Sequence, residues 1–191
     1  MFKLTANATR AALFVLMLTA IALIPFRHTT YAHGSSTSHT TLELTEQQTL
    51  MTIAIDERSA IELSGGDLDL SGTLDEYEFD AVKPLFERLL KEQITLAIDG
   101  VQVPWNRTVS FGMVVDGGAA KAMLQVEFLP ISASSSVSVT DNLYQSVLQS
   151  DYKNQIVVHS GTSSHTAALS GLKRSLILTP ATSAARPTTD A

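Results

Sequence analysis

The twelve-residue segment from Asp67 to Glu78 (DLDLSGTLDEYE) places oxygen-bearing side chains at a spacing that suits calcium. Calcium takes about six to eight hard oxygen ligands, which such a loop supplies from positions 1, 3, 5, 7, 9 and 12 around a sharply turning glycine at position 6. Gly72 occupies position 6, and Leu74 at position 8 is the apolar residue expected to hold the loop to the core. In order, the predicted ligands are Asp67, Asp69, Ser71, Thr73 through its backbone carbonyl, Asp75 and Glu78.

The charge around this loop supports the same interpretation. Residues 62–80 contain seven acidic residues and no lysine or arginine. Such a cluster repels itself unless a cation neutralises it. The alternative is that its Asp and Ser side chains only cap turns and a helix start, but capping requires one or two acids rather than seven.

Over residues 63–93 the loop and the helix predicted after it resemble the EF-hand family. Two features depart from the family pattern. The preceding segment, residues 57–63 (ERSAIEL), is short and is followed by Ser64, Gly65 and Gly66, and the sequence contains no second loop. The resemblance implies calcium as the bound ion, and an unpaired copy implies weak affinity, within the range of about 0.1 to 1 mM known for extracellular modules.

The elements that must position the loop are mostly strands. Apolar and polar residues alternate in many short segments, which is typical of half-buried strands. Asp99 with Gly100, and Asp116 with Gly117 and Gly118, mark tight turns between such segments. The predicted fold is therefore mainly β, an antiparallel β-sandwich over residues 41–179. The predicted strands are 41–45, 50–55, 94–98, 101–103, 108–115, 122–129, 136–140, 155–159 and 174–178.

One segment follows a helical period instead. Between Asp75 and Gln93 the apolar residues recur every three or four positions, which builds one apolar helix face. Pro84 lies inside this segment, so we expect a kink or two abutting helices. Residues 57–93 are thus predicted to be an EF-hand-like loop and helix inserted between strands.

The N-terminal segment has the pattern of a secretory signal peptide over residues 1–32. Lys3 and Arg10 precede an apolar run at 11–26, and small residues before His33 suit cleavage after Ala32. An uncleaved membrane anchor is the alternative, although the run is short against the roughly 17 to 25 residues that cross a bilayer. We therefore expect an exported protein, periplasmic or extracellular, with disordered arms at 33–40 and 180–191.

Composition excludes several classes of function. The sequence has 191 residues and no cysteine, which rules out disulfides, thiolate metal sites and thiol catalysis. Acids outnumber lysines and arginines by 19 to 13, and the predicted signal contains bases but no acid, so nucleic acid is a poor partner. None of the common catalytic motifs occurs, and we expect no enzyme.

The order of these features resembles the extracytoplasmic N-terminal part of HupE/UreJ-type membrane proteins. The resemblance covers most of residues 33–178 and includes the stretches SVTDNLYQ and YKNQIVVHSG. It implies an exported domain linked to metal transport, with a membrane protein as a possible partner. The helical membrane bundle of that family is absent from this sequence.

Two further functions stay open at this point. Cleavage after Ala32 would make His33 the first residue, whose amine and ring could bind copper with His159 or His165 as a further ligand. This would make the protein a periplasmic copper carrier or an accessory of a metal transporter. A cell-surface adhesion domain is the other alternative. The favoured hypothesis is an exported, noncatalytic calcium-binding domain.

Overall fold

The computed structural model describes residues 37–132, 135–144, 152–170 and 173–179. These residues form ten strands and two helices. The elements are β1 (Thr37–Leu44), β2 (Thr49–Asp56), α1 (Glu57–Ser64), α2 (Glu76–Gln93), β3 (Ile94–Ile98), β4 (Val101–Val103), β5 (Arg107–Asp116), β6 (Ala119–Phe128), β7 (Val137–Asp141), β8 (Lys153–Ser160), β9 (Ser163–Ser170) and β10 (Ser175–Leu178).

The strands form two sheets, which confirms the prediction of a mainly β fold. The larger sheet has the order β5-β6-β2-β1-β8-β9, and the smaller has the order β10-β7-β3-β4. All pairings are antiparallel except that of β1 with β8, which is parallel. The expectation of a purely antiparallel arrangement is wrong for this pair, because the chain reaches β8 from β7 of the smaller sheet rather than through a hairpin from β1.

Both sheets contribute alternate side chains to one hydrophobic core. Along β2 every second residue is buried, and the partner strand β6 repeats the pattern. This period of two is the one that the sequence shows, because successive side chains of a strand point to opposite faces. Fully buried examples from the larger sheet are Met51, Ile53 and Leu124, and from the smaller sheet Ile94 and Leu96.

Helix α2 packs its apolar face against β5 of the larger sheet. The ring centroids of Phe79 and Phe111 lie 5.1 Å apart in an edge-on arrangement, and those of Phe86 and Phe111 lie 5.6 Å apart. The Thr108 hydroxyl also donates to the Glu87 carboxylate on the helix. Pro84 lies inside a single helix that runs from Glu76 to Gln93, so the alternative of two abutting helices is wrong.

The start of β1 corrects the predicted N-terminal arm. Residues 37–40 belong to a strand in the middle of the larger sheet rather than to a disordered segment. The Thr37 amide and hydroxyl both donate to one oxygen of Asp56, at 3.0 and 2.8 Å, which fixes this end of the strand. The predicted signal at 1–32, the rest of the arm at 33–36 and the tail at 180–191 lie outside the described residues.

Turn chemistry is confirmed, whereas one strand was not predicted. Asp99 and Gly100 have φ values of 50° and 81°, and Gly117 and Gly118 have 60° and 83°, which fits two-residue hairpin turns. Strand β9 lacks a clear apolar alternation because it is a mostly exposed edge built of Ser, Thr, Ala and His with one buried leucine, Leu169.

Neither described helix is both long and apolar enough to cross a membrane.

Candidate metal centre

The loop 67–78 is held between two capped helices. Helix α1 starts directly after β2, where the Asp56 side chain accepts a hydrogen bond from the Ser59 amide at 2.8 Å. It ends at Gly65, whose φ of 68° places it in the left-handed region and whose amide donates to the Ile61 carbonyl at 2.7 Å. The segment that the sequence marks as a poor helix therefore forms a short helix, because both of its ends are capped.

The second helix begins inside the loop. Asp75 is its N-cap, and the Asp75 side chain accepts a hydrogen bond from the Glu78 amide at 2.8 Å. In return, the Glu78 Oε2 atom accepts from the Asp75 amide at 3.2 Å, which completes a capping box. This reciprocal pair fixes the position of Glu78 relative to the loop.

Three predicted ligands come together in the loop. Asp67, Asp69 and Glu78 each offer one carboxylate oxygen, and these three atoms lie within 4.8 Å of one another. Within the described ranges, no other group of three histidine, aspartate or glutamate side chains is this close. The arrangement concentrates negative charge at one point, where a divalent cation would neutralise it.

Glu78 is the buried member of the three, with 4% of its surface exposed. Its Oε1 atom accepts hydrogen bonds from the backbone amides of Leu68 at 2.7 Å and Asp69 at 3.2 Å. Together with the bond from Asp75, three backbone donors surround this carboxylate. These hydrogen bonds fix the orientation of the Glu78 carboxylate within the loop.

Asp67 has one oxygen that lacks any partner. Its Oδ2 atom accepts a hydrogen bond from the Gly72 amide at 3.0 Å, which Gly72 can provide because its φ is 83°. Its Oδ1 atom is buried and forms no hydrogen bond. A buried carboxylate oxygen without a partner is costly, and a cation placed among the three carboxylates would satisfy it.

Asp69 lies on the exposed side of the loop. Its Oδ1 atom accepts from the Ser71 amide at 2.9 Å. Hydrogen bonding from Ser71, chiefly from its side chain, holds the pKa of Asp69 below its ordinary value. The side chain is therefore ionised at neutral pH, as a metal ligand must be.

The other three predicted ligands do not join this group in the structure. The Ser71 and Thr73 hydroxyls are hydrogen-bonded to each other at 2.9 Å, and the Thr73 carbonyl lies 3.5 Å from the Ser71 hydroxyl. Asp75 is engaged as the N-cap of α2. All three residues lie on the same loop and are exposed to solvent.

Glu57 and Gly66, which the sequence does not mark as part of the site, support the loop at Leu74. Leu74 is buried as predicted, and its amide donates to the Glu57 Oε1 atom of α1 at 2.9 Å. Gly66 packs so close to Leu74 that an added Cβ would lie 2.7 Å from the leucine Cδ1 atom. Close packing therefore favours glycine directly before Asp67. In the sequence, Gly66 is visible only as one of two adjacent glycines.

Of the three histidines considered for copper, the structure describes His159 and His165. His33 lies outside the described residues. His159 pairs with Ser164 and His165 with Val158 across β8 and β9, so the two imidazoles occupy neighbouring positions on opposite faces of the sheet. These two histidines cannot bind one ion together.

Comparison with protein-family models and with curated proteins finds no match to this chain. A functional assignment therefore rests on the chemistry of the loop itself.

Proposed function

We propose that this protein is a noncatalytic domain that binds one calcium ion in the loop 67–78. The observation that carries the proposal is the convergence of three carboxylates, one of which, Asp67, has a buried oxygen without a partner. Asp67, Asp69 and Glu78 would bind the ion directly. Ser71, the Thr73 carbonyl and Asp75, through a water, would complete an oxygen shell of the size that calcium prefers.

Calcium suits this loop better than the other common divalent ions do. All the ligands are hard oxygens, and neither histidine nor cysteine lies among them, which disfavours zinc and copper. Magnesium requires a nearly ideal octahedron and retains several waters. The larger calcium ion accepts an irregular set of oxygen ligands, including a bidentate glutamate, more readily.

Ion binding would be coupled to the stability of the fold. Glu78 is followed directly by Phe79, which packs on Phe111 of β5, so the ligand and the core contact are adjacent on one helix. An ion that binds only the folded state stabilises it by RT ln(1 + [Ca]/Kd), or about 2.7 kcal/mol at a concentration of 100 Kd. Locking the first turn of α2 would secure that helix against the sheet.

The direct test is thermal unfolding at increasing calcium concentration. The wild-type protein is expected to gain several degrees in Tm, with half of the binding signal in calorimetry near 0.1 to 1 mM, the range given above for extracellular modules. The double variant Asp67→Asn, Glu78→Gln should show neither response. The control variant Glu46→Gln removes an exposed acid in the β1–β2 turn and should respond like the wild type. A wild-type protein that is insensitive to calcium would refute the proposal.

We further propose that the domain acts outside the cytoplasm. The sequence pattern of residues 1–32 supports this location, and the concentration range expected for a single loop matches extracellular rather than cytosolic calcium. N-terminal sequencing of the protein recovered from the cell exterior or periplasm should begin at His33. Protein that retains residues 1–32 would favour the membrane-anchored alternative.

A further inference from the structure

Strand β9 is an open edge of the larger sheet. Within the described part of the chain it pairs along its whole length with β8. On its other side Ser170 is bridged to Lys173, and no described strand pairs with Ser163–Leu169. An edge strand presents unpaired backbone N–H and C=O groups, so natural proteins protect such edges with charges, prolines, bulges or short strands. The outer strands of the two described sheets are β5 and β9 in the larger sheet and β10 and β4 in the smaller.

Three of the four edges are protected. Strand β5 carries charged residues at both ends, Arg107 and Asp116, and its pairing with β6 is interrupted by an irregularity between Thr108 and Ser110. The edges of the smaller sheet are short, because β4 has three residues and β10 has four. Each of these features hinders the addition of another strand.

Strand β9 has none of these protections. Its eight residues, SSHTAALS, include no lysine, acid, proline or glycine, and its register with β8 is continuous from Ser163 to Ser170. Most of its side chains are small and exposed. Another backbone can therefore approach this edge without steric or charge repulsion.

A cavity lies beside the same edge, between the two sheets. It has a volume of about 260 Å³, and its lining includes His165 of β9 together with the apolar side chains of Leu44, Val137, Val158 and Leu178. Side chains alternate in direction along a strand, so a strand added to β9 would direct every second side chain toward this opening. Besides His165, the polar residues Ser132, Ser135, Ser160, Ser163 and Thr179 line it, so the cavity suits a small side chain such as valine or threonine.

The charge at the end of β9 indicates what the added strand should carry. Lys153 is the register partner of Ser170, and Lys173 forms a bridge with the same residue. Both lysines are exposed, and in the described ranges neither forms a salt bridge. They form a positive end in an otherwise acidic protein, which favours a carboxylate on the incoming segment.

We propose that β9 is a docking site for an extended segment of a partner protein, which adds as a further strand. The segment carries aliphatic side chains in alternation and acidic residues at the end that meets Lys153 and Lys173. Backbone hydrogen bonds supply affinity, while the cavity and the lysines supply selectivity. This inference does not depend on calcium.

Two synthetic peptides test the proposal. The first has two glutamates followed by alternating threonine and valine, so that antiparallel addition along Ser163–Leu169 places the glutamates next to Lys173, which closes the edge at Ser170. The second replaces the glutamates with lysines. The glutamate peptide should bind at least about fivefold more tightly at low salt, as expected for two exposed charge pairs. Amide hydrogen exchange should slow in residues 163–170 and remain unchanged in β5.

The double variant Lys153→Glu, Lys173→Glu should reverse the preference between the two peptides. Both positions are exposed, so the variant should retain the wild-type circular dichroism spectrum, which is checked first. Equal binding of both peptides to both proteins, or no protection of β9 by either peptide, would refute the proposal. Protection of β9 that appears without peptide and grows with protein concentration would show instead that a second copy of this chain occupies the edge.

Discussion

The backbone amide of Leu74 donates to the Glu57 carboxylate at 2.9 Å, which joins the loop 67–78 to the first residue of α1. The hydrogen bond links a loop residue to the helix that precedes the loop, with Leu74 itself buried in the core. The loop is therefore braced from a side that supplies no metal ligand.

Glu57→Ala should destabilise the protein by about 1 to 2 kcal/mol, because the partly buried Leu74 amide loses its only acceptor. Glu57→Gln keeps an acceptor oxygen at the same place and should lose about half as much. Urea unfolding of both variants gives the comparison. Equal losses would show that charge rather than the hydrogen bond is important at this position.

Leu70→Asn should stabilise the apo protein by about 0.5 to 1 kcal/mol. Leu70 has a φ of 61°, a region in which leucine is strained and asparagine is tolerated, and 87% of its surface is exposed. Leu68→Asn is the matched control, since Leu68 is exposed but is not among the residues with positive φ. Thermal unfolding without calcium should show a gain for the first variant only.

Gly66→Ala should cost about 1 to 3 kcal/mol and weaken calcium binding. The new methyl group would meet Leu74 at 2.7 Å and Val82 at 3.1 Å, so the loop would have to shift away from the helix. Gly112→Ala in β5 is a suitable control, because no atom lies within 4 Å of an added Cβ there. Calorimetric titration with calcium should separate the two variants.

The buried carboxyl of Asp141 should make stability depend on pH. Burial raises its pKa, against the effect of hydrogen bonds from Tyr152, Asn154 and the Leu143 amide. A raised pKa in the folded state means that folding favours the protonated acid. The stabilisation that Asp141 gains from folding as a neutral acid is present in full below its pKa in the unfolded chain, about 3.9. It is lost as the pH rises through the pKa of Asp141 in the folded state.

Asp141→Asn removes this titration. The stability of the wild type relative to the variant should therefore fall as the pH is raised from 4 toward 8, as followed by urea unfolding at each pH. A relative stability that instead rises with pH would show that the hydrogen bonds outweigh burial at this carboxyl.

Tyr152→Phe should destabilise the protein by about 1 to 3 kcal/mol, because the hydroxyl joins Asp141 of the smaller sheet to Ser38 of the larger one. Ser38→Ala is expected to cost less, since Tyr152 still donates to Asp141 in that variant. Denaturant unfolding measures both. A larger loss for Ser38→Ala would mean that the serine hydroxyl supports the junction in another way.

The sequence predicts those parts of the fold that follow from local chemistry. The alternation in β2 and β6, the turns at Asp99 and Gly117 and the apolar face of α2 all reflect residues close in the chain. Asp67, Asp69 and Glu78, three of the predicted ligands, also lie within one short segment, and their carboxylates are close together in the structure.

The features that the sequence missed depend on distant contacts. Residues 37–40 belong to β1, where Asp56 of the neighbouring strand accepts two hydrogen bonds from Thr37. Strand β9 pairs with β8 and is mostly exposed, so burial does not impose an apolar alternation on it. The role of Glu57 appears only once α1 and the loop are packed together.

The parallel pairing of β1 with β8 also has a consequence for how the chain folds. Ser38 and Tyr152, which are hydrogen-bonded across this junction, are separated by 114 positions. Strand β1 can pair with β2 as a local hairpin, but its other side stays unpaired until the distant strand β8 reaches it. Closure of so long a loop slows this step of folding.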